Sequence, residues 1–206
     1  MPFALPAKVI SMLKPLAAFV LLSAACGNAD NVIVGGVAAG ATTPNVLFDG
    51  IGSSIHGVAT PRDASGNPVG DPMAVVIMSD RPNLCDRLKA RPDYFRNAPE
   101  AYEALILFVR LGYLGTFVVG RESDPGTAAE VVAAGGPQPT TPFHGLNSSY
   151  ISVTNWPASA GNATGGTASG SFSLVFDDPY GSNGAHPFYG RFKTSACPTL
   201  EGTLLP

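Results

Sequence analysis

Short apolar runs separated by glycine and proline are the feature that most limits what this chain can fold into. The 206 residues include 24 Gly and 19 Pro, scattered as breaks along the chain. Short strands joined by many turns produce this pattern. With 45% hydrophobic and 13% charged residues, the chain has apolar material for one core of ordinary size. We therefore predict an all-β fold, a single antiparallel β-sandwich with one short helix, over residues 44–206.

The clearest strand patterns lie in the second half of the chain. Residues 150–156 alternate between two faces, as expected of a strand with one buried face. Residues 170–176 and 188–196 alternate in the same way and are predicted to pair as a hairpin. Residues 102–111 carry signals of both helix and strand, because a fully buried strand shows the same unbroken apolar run. We predict a strand there.

The remaining strands are predicted from short runs bounded by turn residues. Residues 116–119 and 129–133 are expected to follow 102–111 as consecutive antiparallel strands. Residues 46–48 and 55–58 flank a Gly-Ser turn and are expected to form a pair of strands.

One helix is predicted after the β-favouring run 73–78. Ser79 or Asp80 is expected to cap it, with Pro82 in its first turn. Its apolar face contains Leu84 and Leu88, one helical turn apart.

The first 25 residues have the layout of a secretory signal. Lys8 and Lys14 precede an uncharged run, 16–25, that ends in small residues. The run is about half the length that a helix needs to span a bilayer, so a retained membrane span is not predicted. Residues 1–25 are therefore interpreted as a signal peptide that is removed on export.

The end of this run, Leu21-Leu22-Ser23-Ala24-Ala25-Cys26-Gly27, resembles the lipobox of bacterial lipoproteins. The resemblance implies that Cys26 is acylated and becomes the mature N-terminus, although Ser23 stands where the family prefers leucine. It also implies sorting to the outer membrane in a Gram-negative host, because Gly27 is not the retention aspartate. Ordinary secretion and a buried free cysteine are the alternatives. Residues 26–43, rich in glycine and alanine, are interpreted as a lipidated flexible tether that can contain one short strand over 32–34.

Two further cysteines, Cys85 and Cys197, lie in the part of the chain that would be exported. An even number of cysteines in an oxidising compartment predicts a disulfide. A bridge between them would attach the predicted helix to the last strand. Two separate buried thiols are the alternative.

Three segments of the chain form one set of motifs. They are the ending Gly170-Ser171-Phe172-Ser173-Leu174-Val175-Phe176, the later Gly190-Arg191-Phe192-Lys193 with Cys197, and the upstream Ser79-Asp80-Arg81-Pro82-Asn83-Leu84-Cys85. Together they resemble a group of uncharacterised bacterial envelope lipoproteins with a small β-sandwich domain. The resemblance implies a sandwich with the same bridge and implies no known activity.

The charged and metal-binding residue types argue against several functions. Without the signal peptide, ten basic and fifteen acidic residues remain, so the net charge is about −5 and no nucleic-acid-binding surface is predicted. The three histidines lack the spacing of a metal site. Two acidic segments only faintly resemble cation sites. No metal and no cofactor are predicted. The histidines are His56, His144 and His186, and the acidic segments contain Asp63, Ser65, Asn67 and Asp71, and Asp177 and Asp178.

Two other groups have both a structural and a binding interpretation. Five basic residues in and after the helix could meet an acidic glycan or a phospholipid headgroup, but interleaved aspartates favour the solvated face of a helix. Four other residues, two of them close to this cluster in the sequence, could line a sugar or peptide surface or simply pack in the core. The groups are Arg81, Arg87, Lys89, Arg91 and Arg96, and Tyr94, Phe95, Trp156 and Pro157.

No serine or histidine lies in a catalytic motif, so the sequence favours a non-catalytic protein, anchored to the membrane through Cys26, that binds or scaffolds an unknown protein or glycan. One alternative is an envelope hydrolase whose site is assembled from distant loops, with a histidine beside Asp177 or Asp178. Another is a structural spacer with a featureless surface.

Overall fold

The computed structural model describes residues 30–37, 46–47, 50–60, 67–68, 70–120, 126–134, 143–146, 148–157, 166–176 and 186–205. These described residues contain eleven strands, one α-helix and one short 3-10 helix. They are β1 (Val32–Val37), β2 (Val46–Leu47), β3 (Ser53–Ala59), β4 (Met73–Ser79), α1 (Leu84–Ala90), β5 (Tyr102–Val109), β6 (Gly115–Val118), β7 (Ala128–Ala134), β8 (Phe143–His144), β9 (Tyr150–Asn155), β10 (Thr167–Phe176), β11 (His186–Ala196) and the 3-10 helix Pro198–Gly202.

The strands form one mixed sheet. Its order is β6-β9-β10-β11-β3-β4-β5-β7-β8, and β1 pairs with both β11 and β2. The β11–β3 pair is parallel and short, joining Ser195 to Ile55 and Ala196 to His56, whereas the other described pairs are antiparallel. The predicted β-rich fold with one short helix is confirmed. The sheet is mixed rather than purely antiparallel because of this one pair.

The sheet curves so that its two ends enclose one apolar cluster on its inner face. Buried residues of β4, β5 and β7 lie in the same cluster as those of β9, β10 and β11. A bridge between Gly145 and Phe176, with the Leu146 amide donating to the Val175 carbonyl at 2.8 Å, links the chain after β8 to β10. The inner cluster consists of Ala74, Val76, Met78, Leu105, Leu107, Val109, Phe117, Val119, Ala129, Val131, Ile151, Val153, Phe172, Leu174, Phe176, Phe188 and Phe192.

The two longest strands, β10 and β11, form the predicted hairpin over ten register pairs. Gly170 lies opposite Phe192 and Gly190 lies opposite Phe172. A Cβ on Gly170 would lie 2.6 Å from the Phe192 ring, and one on Gly190 would lie 2.3 Å from the Phe172 ring. Each glycine therefore makes room for the aromatic ring of its cross-strand partner. The ring in turn covers the glycine, which has no side chain of its own to pack.

The strand predicted over 102–111 is confirmed as β5, with six consecutive buried residues from Ala104 to Val109. Both of its edges are used, by β4 and β7. The expectation that 116–119 pairs next to it is therefore wrong, and β6 pairs with β9 at the far end of the sheet. The expected pairing of 46–48 with 55–58 is also wrong. Because β4 and β11 occupy both edges of β3, β2 pairs with β1.

The helix is present but begins later than predicted. The Ser79 hydroxyl donates to the Glu103 carbonyl at 2.8 Å, and the Asp80 carboxylate accepts from the Glu103 amide at 2.9 Å. Both predicted caps therefore join the end of β4 to the start of β5. The Leu84 amide, at the first turn of α1, donates instead to the Ser53 hydroxyl at 3.0 Å, so a residue of β3 satisfies a group that the local sequence leaves open.

Part of the predicted tether belongs to the sheet, because β1 pairs with β11 from Val32↔Arg191 to Gly35↔Phe188. The signal peptide, residues 1–25, and the lipidation residue Cys26 lie outside the described residues. Within the described ranges, no helix is long and apolar enough to cross a bilayer.

A candidate ligand-binding face

The outer face of the sheet has two halves that differ in what lies over them. The covered half is the outer face of β3, β4, β5 and β7, on which α1, the segment 91–100 and the C-terminal residues 197–205 pack. The open half is the outer face of β1, β6, β9, β10 and β11. Its outward side chains remain exposed or half-buried.

The covered half is an apolar core. Leu84 and Leu88 of α1 are fully buried against it, together with Leu200 of the 3-10 helix. Gly57 allows this close approach, because a Cβ there would lie 2.8 Å from the Cys197 carbonyl oxygen and 2.9 Å from the Leu200 side chain.

The predicted Cys85–Cys197 disulfide is present in the covered half, with the two Cα atoms 5.6 Å apart. Cys85 lies on α1 and Cys197 follows β11 directly. The bridge therefore attaches the helix to the end of β11, the strand of the open half that pairs with β3 of the covered half.

Four of the five residues of the basic cluster singled out in the sequence are held by intramolecular contacts in this covering layer. Arg81 pairs with Asp80 at 2.9 Å, and Arg87 contacts Glu100. Arg91 donates to the Asn97 carbonyl at 2.9 Å, and Arg96 donates to the Leu205 carbonyl at 3.1 Å. These contacts fasten the segment 91–100 and the C-terminus to the helix, which agrees with the structural interpretation of the cluster.

The aromatic residues Tyr94 and Phe95 are also structural. Both are buried beside Tyr102, whose hydroxyl donates to the Phe95 carbonyl at 2.5 Å. Burial raises the pKa of Tyr102 far above its ordinary value. They are therefore core residues of the covered half and line no sugar or peptide surface.

In the open half, two tyrosines stand in one row across the strands. Tyr150 of β9 lies opposite Ser173 of β10, which lies opposite Tyr189 of β11, which lies opposite Val34 of β1. Tyr150 is 46% exposed and Tyr189 is 52% exposed. The small side chain of Ser173 lies between the two tyrosines.

The next row of the open half is polar. Ser171 lies opposite both Ser152 and Arg191, and Ser152 lies opposite Thr116 of β6. The Thr116 and Ser152 hydroxyl oxygens are 3.3 Å apart. Short hydroxyl side chains therefore cover the sheet beside the two tyrosines.

The charges of the open half are basic. The five strands that form it contain Arg191 and Lys193 but no Asp or Glu. At its margin, the Lys193 ammonium group lies 3.2 Å from the Asp30 carboxylate, and the Lys193 amide donates to the Asn31 side chain.

Alternation along β10 and β11 explains why these residues come together. Successive side chains of a strand point to opposite faces, so every second residue joins the inner cluster. Phe172 and Leu174 of β10 and Phe188 of β11 point inward, which leaves serines and Tyr189 outward. The apolar residues of these strands allowed the strands to be predicted, but the outward polar residues were not predicted to form a site. The signal that could have identified the site is the presence of tyrosine and serine at the outward positions of neighbouring strands.

Of the three histidines, His56 is described in full and lies buried near the inner cluster. Its Nδ1 atom lies 2.9 Å from the Thr194 hydroxyl, and its ring meets Trp156 edge-on at 5.1 Å between centroids. Burial lowers the pKa of His56. In the part of the chain that the structure describes, its Nε2 atom has no hydrogen-bond partner. The neutral imidazole is thus the form that this site favours.

His56 and His186 do not form a common site. His56 lies opposite Ala196 at one end of β11, and His186 begins the other end of the same strand. Ten residues of strand separate these ends by roughly 30 Å. His144 lies opposite Glu130 on β7 in the register of the sheet.

The acidic candidates give no metal site in the described residues. Asp63, Ser65, Asp177 and Asp178 lie outside them. Among the residues that are described, no group of three or more His, Cys, Asp or Glu side chains is placed to hold a metal ion.

Glu130 was not singled out in the sequence. It lies on the outer face of β7, opposite Ile106 of the covered half. Burial raises the pKa of its carboxyl from 4.5 to about 7.

A second surface feature is a shallow groove beside the loop between β5 and β6. Asp71, Met73 and Leu111 line it, together with Arg110, whose guanidinium carbon lies 4.2 Å from the centre of the Tyr113 ring. Tyr113 is 50% exposed. It matches Tyr150 and Tyr189 in exposure but lies outside the rows of the open half.

The chain matches no known family model, and comparisons with curated proteins and with solved structures also give no match. Its function must therefore be inferred from its own residues.

Proposed function

We propose that this chain is an exported lipoprotein, anchored to the cell envelope through Cys26, whose folded domain binds an envelope component without catalysis through the open half of its sheet. The observation that carries the proposal is the contrast within one outer face. One half is buried under a helix and a disulfide-linked C-terminus, and the other presents two half-exposed tyrosines among serines.

We also propose that the domain has the architecture of a β-sandwich. Residues from both ends of the sheet share the inner cluster, which supports two layers facing each other across one core. In such an arrangement, the layer of β6, β9, β10 and β11 is packed from the inside and offers its outer face to a ligand.

The position of β1 supports a surface that works close to the membrane. Val32, where β1 begins, is six residues after Cys26. Six residues, fully extended, span at most about 20 Å. Because β1 pairs with β11, a lipid on Cys26 would hold the open half within that distance of the bilayer.

The two alternatives have weaker support. The hydrolase alternative, a histidine beside Asp177 or Asp178, has no described arrangement behind it, because both aspartates lie outside the described residues. A spacer with a featureless surface would not need Tyr150 and Tyr189 exposed on the open half. Exposed aromatic residues of this kind are typical of binding surfaces.

The test combines membrane fractionation with photo-crosslinking in intact cells of the native host. A photoreactive amino acid at position 189 is expected to form adducts, whereas the same group at position 89, an exposed position of α1, is expected to form few. Cys26→Ser is expected to move the protein from the membrane to the soluble fraction, and Asn28→Ala, the neighbouring control, is not. A Cys26→Ser protein that stays with membranes contradicts the anchor. Equal adducts at 189 and 89 contradict the binding face.

A further inference from the structure

We infer that the loop between β5 and β6, residues 110–114, is a second membrane contact, in which Tyr113 and Leu114 enter the interface of the bilayer that holds Cys26. The loop is separate from the proposed binding face, but the inference rests on the proposed lipid anchor. The exposure of two adjacent apolar side chains, the contacts that hold the loop and the end of the sheet at which it lies support the inference.

The tip of the loop is apolar and exposed. Leu114 is 60% exposed, the highest value among the large apolar residues of the described ranges, and Tyr113 beside it is half-exposed. Single exposed apolar residues are common on protein surfaces, whereas adjacent ones at a tip form a patch that a lipid surface can cover. Leucine is apolar throughout, and the tyrosine ring carries a hydroxyl that can remain among the headgroups.

The loop is attached to the rest of the domain. Leu111, at its base, packs against the inner cluster. Gly112 and Gly115 flank the tip with φ angles of 80° and 129°, which favour glycine. The Arg110 guanidinium carbon lies 4.2 Å from the centre of the Tyr113 ring, a cation–π contact that holds the ring in place. These contacts keep the two apolar side chains at the surface.

The register of the sheet places this loop at the end where the anchored segment enters. Thr116 of β6 lies in one row with Ser152, Ser171, Arg191 and Val32 of β1. Four antiparallel pairings connect β6 to β1, so the two strands run in the same direction. The chain before Thr116 and the chain before Val32 therefore enter the sheet from the same end.

The distances allow the anchor and the loop to meet one bilayer. Four strand spacings separate Thr116 from Val32, about 19 Å across the sheet. Leu114 is two residues before Thr116, and Cys26 is six residues before Val32, which is at most about 20 Å of extended chain. A bilayer that holds a lipid on Cys26 is therefore within reach of the loop. This proximity selects a lipid surface as the occupant.

The contact is expected to orient the domain and to need no particular headgroup charge. Arg110 and Asp71 line the same groove below the loop, so both signs of charge are present there. Two apolar side chains alone bind a bilayer weakly, whereas several acyl chains bind it stably. The anchor makes the contact of the loop intramolecular, and a weak contact is then sufficient to fix the orientation of the domain.

The experiment measures the environment of the loop in the full mature lipidated protein, reconstituted into phosphatidylcholine vesicles. Leu114→Cys provides a single free thiol, because Cys85 and Cys197 are bridged and Cys26 carries the lipid in the proposed anchor. An environment-sensitive fluorophore on this thiol is expected to emit at shorter wavelength after reconstitution. Nitroxide lipids are expected to quench it about threefold more strongly than the same fluorophore on Lys89→Cys, an exposed position of α1.

A second variant tests the contact through the neighbouring side chain. Tyr113→Asp, combined with the label at position 114, places a charge at the interface and is expected to return the emission to that in water. Tyr150→Asp adds the same charge to the open half and is expected to leave the labelled loop in lipid. Phosphatidylglycerol vesicles are expected to give the same results as phosphatidylcholine. Thermal unfolding checks that each variant keeps the native fold.

Three results would overturn the inference. They are emission from position 114 as in water, equal quenching at positions 114 and 89, and emission at shorter wavelength that nitroxide lipids do not quench. The third would mean that a protein covers the loop. If Cys26→Ser leaves the membrane but the label at position 114 in the anchored protein stays in water, the anchor stands and the second contact is wrong. If Cys26→Ser stays with membranes, the proposed anchor itself fails.

Discussion

The covered and open halves of the outer face belong to one sheet and follow the same alternation, yet they carry opposite chemistry. Val75, Ile77 and Ile106 point outward in the covered half and are fully buried by the layer above them. Ser171, Ser173 and Tyr189 hold the equivalent outward positions in the open half. Both halves thus supply one inner core, whereas the outer face is divided between a covered half that stabilises the fold and an open half to which we assign the proposed binding.

The largest expected effect comes from removing the disulfide that fastens the covering layer. The bridge closes a loop with a sequence separation of 112 residues. The double variant Cys85→Ala, Cys197→Ala is expected to lose about 3 to 5 kcal/mol of unfolding free energy, mainly because the unfolded chain is no longer constrained. Urea unfolding of the two proteins measures this loss. A change below about 1 kcal/mol would mean that the bridge does not hold the covering layer in place.

A direct comparison of the two halves uses one truncation in each. Leu88→Ala removes a fully buried side chain from the covered half and is expected to cost about 2 to 5 kcal/mol. Tyr189→Ala removes a half-exposed side chain from the open half and is expected to change stability by no more than about 0.5 kcal/mol. Urea midpoints check both values. Similar losses of stability in the two variants would contradict the division of the outer face into a stabilising half and an open half that contributes little to stability.

The last expected effect concerns Glu130 and depends on pH. Burial raises the pKa of its carboxyl from 4.5 to about 7, so the folded protein binds this proton more tightly than the unfolded chain does. Stability contributed by the protonated group is present below pH 4.5 and is lost as the pH rises through about 7. Glu130→Gln is therefore expected to be more stable than the native protein at pH 8, by about 1 to 3 kcal/mol, and equally stable at pH 4.

His56 contributes to the same pH profile with the opposite sign. Burial lowers its pKa from 6.5, so the stability that it contributes is lost as the pH falls below 6.5. Because both proteins retain His56, the difference between Glu130→Gln and the native protein in urea unfolding isolates the glutamate. A difference that does not change between pH 4 and pH 8 would contradict the buried state of the Glu130 carboxyl.

Local patterns in the sequence predicted much of the fold. The alternation of β9, β10 and β11, the hairpin between the last two, and the buried strand β5 follow from side-chain periodicity, which depends on near neighbours in the chain. The pairing of Cys85 with Cys197 followed from the number of cysteines and the expected compartment. These features can be predicted without knowing which strands pair in the folded protein.

The choice of strand partners was decided by the tertiary structure. A strand has two hydrogen-bonding edges, and no local pattern in β2 or β6 shows that the edges of β3 and β5 are already occupied. The capping of α1 by Ser53 is another long-range choice, because that hydroxyl lies 31 residues before Leu84.

The candidate binding face was also beyond the sequence alone. Each strand shows which of its residues alternate, but the position of Tyr150 across from Ser173 and Tyr189 depends on the register of three strands. The same holds for the covering layer, since only the folded chain shows that α1 and the C-terminus lie over β3, β4 and β5 and leave β10 and β11 open. Periodicity is a property of neighbouring residues and determines which side chains a strand buries. The surface that remains exposed depends on contacts between residues far apart in the chain.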